Sequence, residues 1–268
     1  MRPAATDVVL LCGGRGSRLG ALTTDTPKPL LPVGGRPFLL HLLLHLKTEG
    51  FSRFILAAHY LPDRFQEFVS NFSSQMDLQL IIEPEPLGTG GALRHAAGAV
   101  RSPHFLAVNG DTWISQSLEP VMAQHEREGR VFTAVAAEAD RVEESKARKG
   151  VWRIGPGGEF LSFGDSEITS GAASASRSHT EKKATQRLHL VRPPLAAATT
   201  RGWVNAGVYL LDREFVASWP AGSYSLEASF NRLLAGKKAG VFCSKGTLLD
   251  IGTPEVYAQA DKAVDCLR

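Results

Sequence analysis

The feature that most limits how this chain can fold is a glycine-rich bend placed directly after a short apolar run near its start. Residues 10–32 read LLCGGRGSRLGALTTDTPKPLLP. The run Asp7-Val8-Val9-Leu10-Leu11 is rich in Val and Leu, which suits a strand buried on both faces in a parallel sheet. Gly13, Gly14 and Gly16 then let backbone N–H groups come close to an anion. Arg15, Ser17 and Arg18 stand at the tip of the bend, and Lys28 follows between Pro27 and Pro29. Prolines on both sides fix the backbone around Lys28 and reduce the entropy lost when its long side chain is aimed at one target. Together these cations can neutralise a triphosphate.

Two common phosphate motifs do not fit. A P-loop needs Gly-Lys followed by Ser or Thr, and no Gly-Lys pair follows these glycines. The dinucleotide fingerprint would place its third glycine at Leu19 and an acidic residue about 20 positions later, and neither is present. Taken alone, the glycine cluster is equally consistent with a tight strand-to-helix turn.

The longer pattern G-G-x-G-[ST]-R-L followed by T-P-K-P-L-x-P resembles the signature of the sugar-1-phosphate nucleotidylyltransferases. The resemblance spans residues 8–163 and 203–257. It implies that Leu11, Gly13, Gly14, Gly16 and Ser17 surround the nucleotide phosphates, that Arg18 grips the β and γ phosphates, and that Lys28 supports the α phosphate. It also implies the family's fold, a single α/β Rossmann-like domain with a mixed, mostly parallel central sheet. The alternation of apolar runs with amphipathic stretches along residues 7–108 agrees with that fold.

A second informative stretch is EPEPLGTGGALRHAAG, which begins at Glu83 and follows an apolar run at 78–82. It occupies the carboxyl end of an expected strand, the edge where doubly wound sheets hold ligands. A proline-stiffened loop that caps a helix starting near Thr89 would explain the same glycines without a ligand. The resemblance implies instead that Glu83, Gly88 and Thr89 lie around the nucleotide base. The E-P-L-G-T-G-G-A run and the Leu11-Cys12-Gly13-Gly14 opening are most similar to guanylyltransferases acting on a heptose 1-phosphate. Guanine offers donors at N1 and N2, so a carboxylate such as Glu83 can accept from both.

Two aspartates are the expected metal ligands. Asp111 follows the apolar run 105–108 in Asn109-Gly110-Asp111-Thr112, and Asp250 follows Leu248-Leu249 in the same strand-then-Asp arrangement. Carboxylates at strand ends suit Mg²⁺, a hard ion that prefers oxygen ligands and bridges phosphate oxygens. His41 and His45 lie four apart on an expected helix, but no third ligand stands near them, so they read as helix histidines.

The run 203–211 is apolar except for Asn205 and Gly207. Such residues weaken a strand, so either a ligand approaches the backbone there or a bulge interrupts it. The resemblance implies that Asn205 and Gly207 bind the sugar. Residues 164–202 are rich in Ser, Ala and Thr, and such composition does not bury enough apolar area to offset the entropy of ordering. This segment is expected as a mobile insertion within one nucleotidyltransferase domain over 1–268. It is also where the sequence departs from the family, whose Glu-Lys pair comes soon after the hairpin expected at 150–163. Here the pair is Glu181-Lys182, so Lys182, or else Lys183, is expected to reach the sugar phosphate.

The remaining sequence bounds the setting. At 268 residues and 43% apolar content the chain can bury one substantial core. A net charge of +3 with scattered basic residues does not call for nucleic acid. Cys12, Cys243 and Cys266 have no metal-ligand spacing and form no disulfide framework. No apolar stretch is long enough for a membrane span, so a cytoplasmic protein without a membrane or nucleic-acid partner is expected. The oligomeric state stays open, with a homo-oligomer compatible with everything above. The expected activity is transfer of a nucleoside monophosphate from a triphosphate, GTP favoured, to a sugar 1-phosphate. Uridylyl or thymidylyl transfer, mannose-directed guanylyl transfer and a catalytically silent nucleotide-sugar-binding subunit are the alternatives.

Overall fold

The computed structural model describes residues 1–138, 150–164 and 202–262. Strand β1 (Asp7–Leu11) pairs in parallel with β4 (Arg53–Ala58) on one side and β6 (His104–Asn109) on the other, and β4 pairs in parallel with β5 (Asp77–Ile82). A small hairpin, β2 (Pro32–Val33) with β3 (Arg36–Pro37), and helix α1 (Phe38–Thr48) separate β1 from β4. Helices α2 (Pro62–Phe72) and α3 (Gly88–Ala97) make the next two crossovers. The long β11 (Trp203–Asp212) runs antiparallel to β6 and also meets β8 (Phe132–Glu138) and β9 (Val151–Ile154). Nine strands form the sheet, in the path β10-β9-β11-β6-β1-β4-β5, where β10 is Phe160–Gly164, with β12 (Ala239–Ser244) joined in parallel to β8.

The sheet is therefore mixed and mostly parallel, as the sequence led us to expect. Its two faces carry separate cores. Val8 and Leu10 of β1 point into one with α1, whereas Val9 points into the other with α3 and with α6 (Leu226–Leu233). This two-sided burial is the reason β1 reads as an unbroken apolar run rather than an alternating one.

Several expected elements hold with shifted ends. The hairpin with Gly155–Gly158 at its turn is β9 with β10 (Phe160–Gly164), and Ser225 caps α6 by accepting from Ala228 N at 3.2 Å. Strand β7 (Thr112–Ile114), helices α4 (Glu119–Arg127) and α5 (Arg213–Ala217), and β12 escaped the sequence reading. Among the described residues no helix is long and apolar enough to cross a membrane. The mixed-charge run 140–149 and both Lys182 and Lys183 lie outside the described residues.

Candidate active site

Because β1, β4, β5 and β6 are parallel, their carboxyl ends share one edge of the sheet. Leu11 stands opposite Ala57 of β4 and Asn109 of β6, which sets the glycine bend between these two strand ends. The turn after β6 is drawn against the bend by Gly110 N, which donates to Leu11 O at 2.9 Å. Asp111 is thereby delivered to the edge. Asp250 arrives from the far end of the chain: β13 (Leu248–Asp250) pairs antiparallel with β7, with Asp250 opposite Thr112, and Ile251 N donates to Asp111 O at 3.1 Å.

Lys28 joins the two aspartates. Its ammonium donates to Asp111 Oδ2 and, at 3.3 Å, to Asp250 Oδ1. Burial by itself would lower the Lys28 pKa, but the charges of Asp111 and then Asp250 outweigh it and raise the value. Lys28 is buried while Arg18 and Ser17 are exposed, so the group runs from the sheet edge outward to the open side of the bend. A side chain at Gly252 would begin 2.7 Å from Asp250 Oδ1, 3.0 Å from Lys28 Nζ and 3.5 Å from Arg18 Nη2. Three of the expected catalytic residues, Arg18, Lys28 and Asp250, therefore converge around Gly252, and Asp111 joins them through the Lys28 ammonium. The sequence reading missed that glycine, although its place two residues after Asp250 was a usable signal.

The residues expected around the nucleotide lie on the other flank of the bend. Glu83 follows β5 and is 4% exposed. Its Oε2 accepts from Leu87 N at 3.1 Å, and its Oε1 lies where a side chain on Gly13 would begin. Burial raises its pKa, against the opposing pull of the Leu87 N–H, His59 and His95. Gly13 and Glu83 thus meet across the bend, while Gly14 faces outward. Gly16, with φ +67, turns the chain into the 3₁₀ segment Ser17–Thr23.

The glycines of the second loop have an internal explanation. A side chain on Gly88 would strike Tyr224 O, one on Gly90 the Tyr224 ring, and one on Gly91 Gly222 O. The Thr89 hydroxyl donates to Glu227 Oε2 at 2.8 Å and accepts from Leu226 N at 2.8 Å. These contacts clamp the start of α3 onto residues 222–227, so close packing requires the glycines whether or not a base lies nearby.

Asn205 and Gly207 occur at a bulge, the second of the two readings open in the sequence. The β11–β8 register shifts between Asn205 and Tyr209. Asn205 Nδ2 donates to Tyr209 Oη at 2.6 Å, and Asn205 Oδ1 accepts from Gly207 N at 3.2 Å. Gly207 adopts φ +70, a region that favours glycine, and the Asn109 side chain fills the space a Cβ would need. Asn109 therefore connects β11 to the turn that carries Asp111.

Asp111 and Asp250 offer the oxygen donors that a hard divalent ion requires, and both already face one cation, the Lys28 ammonium. Among the described residues no group of three or more His, Cys, Asp or Glu is arranged to hold a metal. A two-carboxylate set fits Mg²⁺, which keeps several waters and takes phosphate oxygens as its other ligands.

A family model described as nucleotidyl transferase matches residues 7–265. The chain belongs to this family. Over 258 residues this nucleotidyl transferase is 26% identical to the D-glycero-alpha-D-manno-heptose 1-phosphate guanylyltransferase of Aneurinibacillus thermoaerophilus, covering 96% of this chain and 97% of that one. It is 38% identical over 120 residues to the mannose-1-phosphate guanylyltransferase of Mycobacterium tuberculosis, a match to 44% of this chain that spans only about a third of the relative's length, 33%. Among solved structures it is similar to HddC from Yersinia pseudotuberculosis, with a TM-score of 0.73, 26% identity and coverage of 97% and 99%. HddC is also known complexed with GMP-PN.

Proposed function

We propose that this nucleotidyl transferase moves GMP from GTP to a heptose 1-phosphate, releasing pyrophosphate and forming a GDP-sugar. The observation that carries the reading is the convergence of Arg18, Lys28, Asp111 and Asp250 at one sheet edge. The end-to-end similarity to a heptose 1-phosphate guanylyltransferase supports the choice of substrates. One nucleotidyltransferase domain carries both subsites, with residues 164–202 as an insertion in it.

The sugar 1-phosphate oxygen attacks the α phosphorus in line, and the bond to the β phosphate oxygen breaks. The nucleophile is already an anion near neutral pH, so no general base is required. The obstacle is the approach of two polyanions: unit charges about 4 Å apart at an effective dielectric near 20 interact by roughly 4 kcal/mol. Lys28 and Arg18 lower this repulsion, and the backbone of Leu11, Gly13, Gly14, Gly16 and Ser17 orients the phosphates. Asp111 and Asp250 would hold Mg²⁺, which when bound would supply further positive charge to offset the repulsion. Glu83, Gly88 and Thr89 border the base, Asn205 and Gly207 the sugar, and Lys182 the sugar phosphate.

Mannose 1-phosphate is the second acceptor, favoured by the 38% identity over 120 residues to the mycobacterial enzyme. Incubation with GTP, UTP and dTTP against purified heptose and mannose 1-phosphates, with pyrophosphate release as the readout, tests the assignment. GTP with heptose 1-phosphate is expected to turn over fastest. A uridine or thymidine preference would overturn the guanylyl reading, and no pyrophosphate from any pair would favour a silent binding subunit.

A further inference from the structure

The turn after β4 supports the signature bend from outside. Tyr60 Oη lies 2.9 Å from Thr23 O and 3.1 Å from Thr24 O, so its single proton is shared between two carbonyls at the end of the 3₁₀ segment. That segment is interrupted. Gly20 breaks it with φ 56 and ψ −125, and carbonyls at a helical end have no partner within the helix. Thr23 is buried, and its own hydroxyl reaches back to Gly16 O at 3.3 Å and Gly20 O at 3.2 Å. From the same turn Arg64 Nε donates to Asp25 O at 3.1 Å. On the near arm of the bend, the Arg15 guanidinium lies 5.6 Å from the centre of the Tyr60 ring, a distance at which the cation is attracted to the ring face.

The backbone that presents Tyr60 is itself unusual. Leu61 has φ 50 and ψ 58 and is the one non-glycine residue at positive φ among the described residues. Such strain persists where the surroundings over-determine it, and it clusters at functional sites. Pro62 follows directly as the first residue of α2, and Arg64 N donates to Leu61 O at 3.1 Å, which locks the turn.

We propose that Tyr60 is a positioning residue for nucleoside triphosphate binding, whose hydroxyl and ring hold the two arms of the signature bend at the spacing that meets the phosphates. This rests on the assignment of the bend to the triphosphate. Tyr60 touches no substrate in this account and acts through Thr23, Gly16 and Arg15. Tyr60 contacts only the bend and not Asn205 or Gly207, the proposed sugar contacts, so the effect is expected on one substrate.

Tyr60→Phe removes the hydroxyl and leaves the ring under Arg15, and Tyr60→Ala removes both. The expected result is a KM for GTP raised about fivefold in Tyr60→Phe and further in Tyr60→Ala, with the KM for the sugar phosphate unchanged. Inorganic tripolyphosphate, followed by calorimetry, should bind Tyr60→Phe about fivefold more weakly than the parent protein. An unchanged GTP KM and tripolyphosphate affinity in Tyr60→Phe overturns the inference and leaves the proposed function standing. Equal changes in both KM values with a lower Tm also overturns it, since that is the mark of a purely structural residue. A parent protein that binds neither GTP nor tripolyphosphate rejects the proposed function and the inference together.

Discussion

The two ends of strand β1 carry the same kinds of charged residue in opposite arrangements. At the amino end Asp7 accepts from Arg53 Nη1 at 2.8 Å and from Arg101 N at 2.6 Å, and Arg53 also donates to Gln79 at 2.5 Å and to Ala99 O at 3.2 Å. Both Asp7 and Arg53 are buried. At the carboxyl end one ammonium serves two carboxylates, the Asp111 side chain remains 26% exposed, and Arg18 faces outward. The closed cluster sets buried Arg53 against buried Asp7 and adds the Gln79 amide and backbone groups, with the exposed Asp77 3.7 Å from Arg53 Nε, and such hydrogen-bonded pairing is what a buried charge needs. The open cluster leaves Asp111 and Arg18 accessible to further ligands. A strand end left open in this way is suited to exchange partners.

The sharpest way to break this contrast is Asp111→Asn. Turnover in the presence of Mg²⁺ should fall on the order of a thousandfold while the thermal midpoint holds. Near-normal turnover would remove Asp111 from the essential set. The closed end should answer in the reverse sense: Arg53→Ala strands Asp7 in the interior and should cost about 3–5 kcal/mol of stability, measured by urea unfolding, with kcat of the folded protein retained. Loss of kcat without loss of stability would show that this cluster is not merely scaffold.

The amino edge also makes a prediction about pH. His125 packs there against His104, with Nε2 to Nδ1 at 3.2 Å, and its Nδ1 meets Thr133 Oγ1 at 2.9 Å. Burial, then the nearby charges of His104 and Arg130, lower its pKa to about 3. A depressed pKa means the neutral form is the folded one. The associated stability is complete above the ordinary imidazole pKa near 6.5 and is lost as pH falls from there toward 3. Between pH 7 and 5 the loss is about 2 kcal/mol, and His125→Gln should flatten that slope in a pH series of unfolding curves. A parallel slope in the variant would assign the effect to other groups. The smallest effect expected is on base choice: Glu83→Gln should reduce the preference for GTP over UTP about tenfold in kcat/KM. Equal loss with both nucleotides would make Glu83 a support for Gly13 instead of a reader of the base.

The contrast also explains what could be read early. Motif residues that lie close in the chain were legible, because Gly13, Arg18 and Lys28 fall within one short signature of the sequence. Asp111 and Asp250 were legible singly, each as a carboxylate after an apolar run. Their meeting was not, since it depends on β7 and β13 pairing across the chain. The glycines of the second loop misdirect a sequence reading for the same reason: the backbone of residues 222–224 that crowds them is remote in sequence. Tyr60 carries no motif at all, and only its contacts with Thr23 and Thr24 mark it.

By itself the sequence determined the α/β alternation, the glycine-rich bend after β1, and the identities of the charged groups that gather beside it. These follow from periodicity and from residues near one another along the chain, where backbone geometry leaves few choices. Only the tertiary structure decided that Asn205 and Gly207 form a bulge, that Asn109 fills the space above Gly207, and that Lys28 stands between two aspartates. Each of those depends on strand register, which is set by the packing of distant apolar faces.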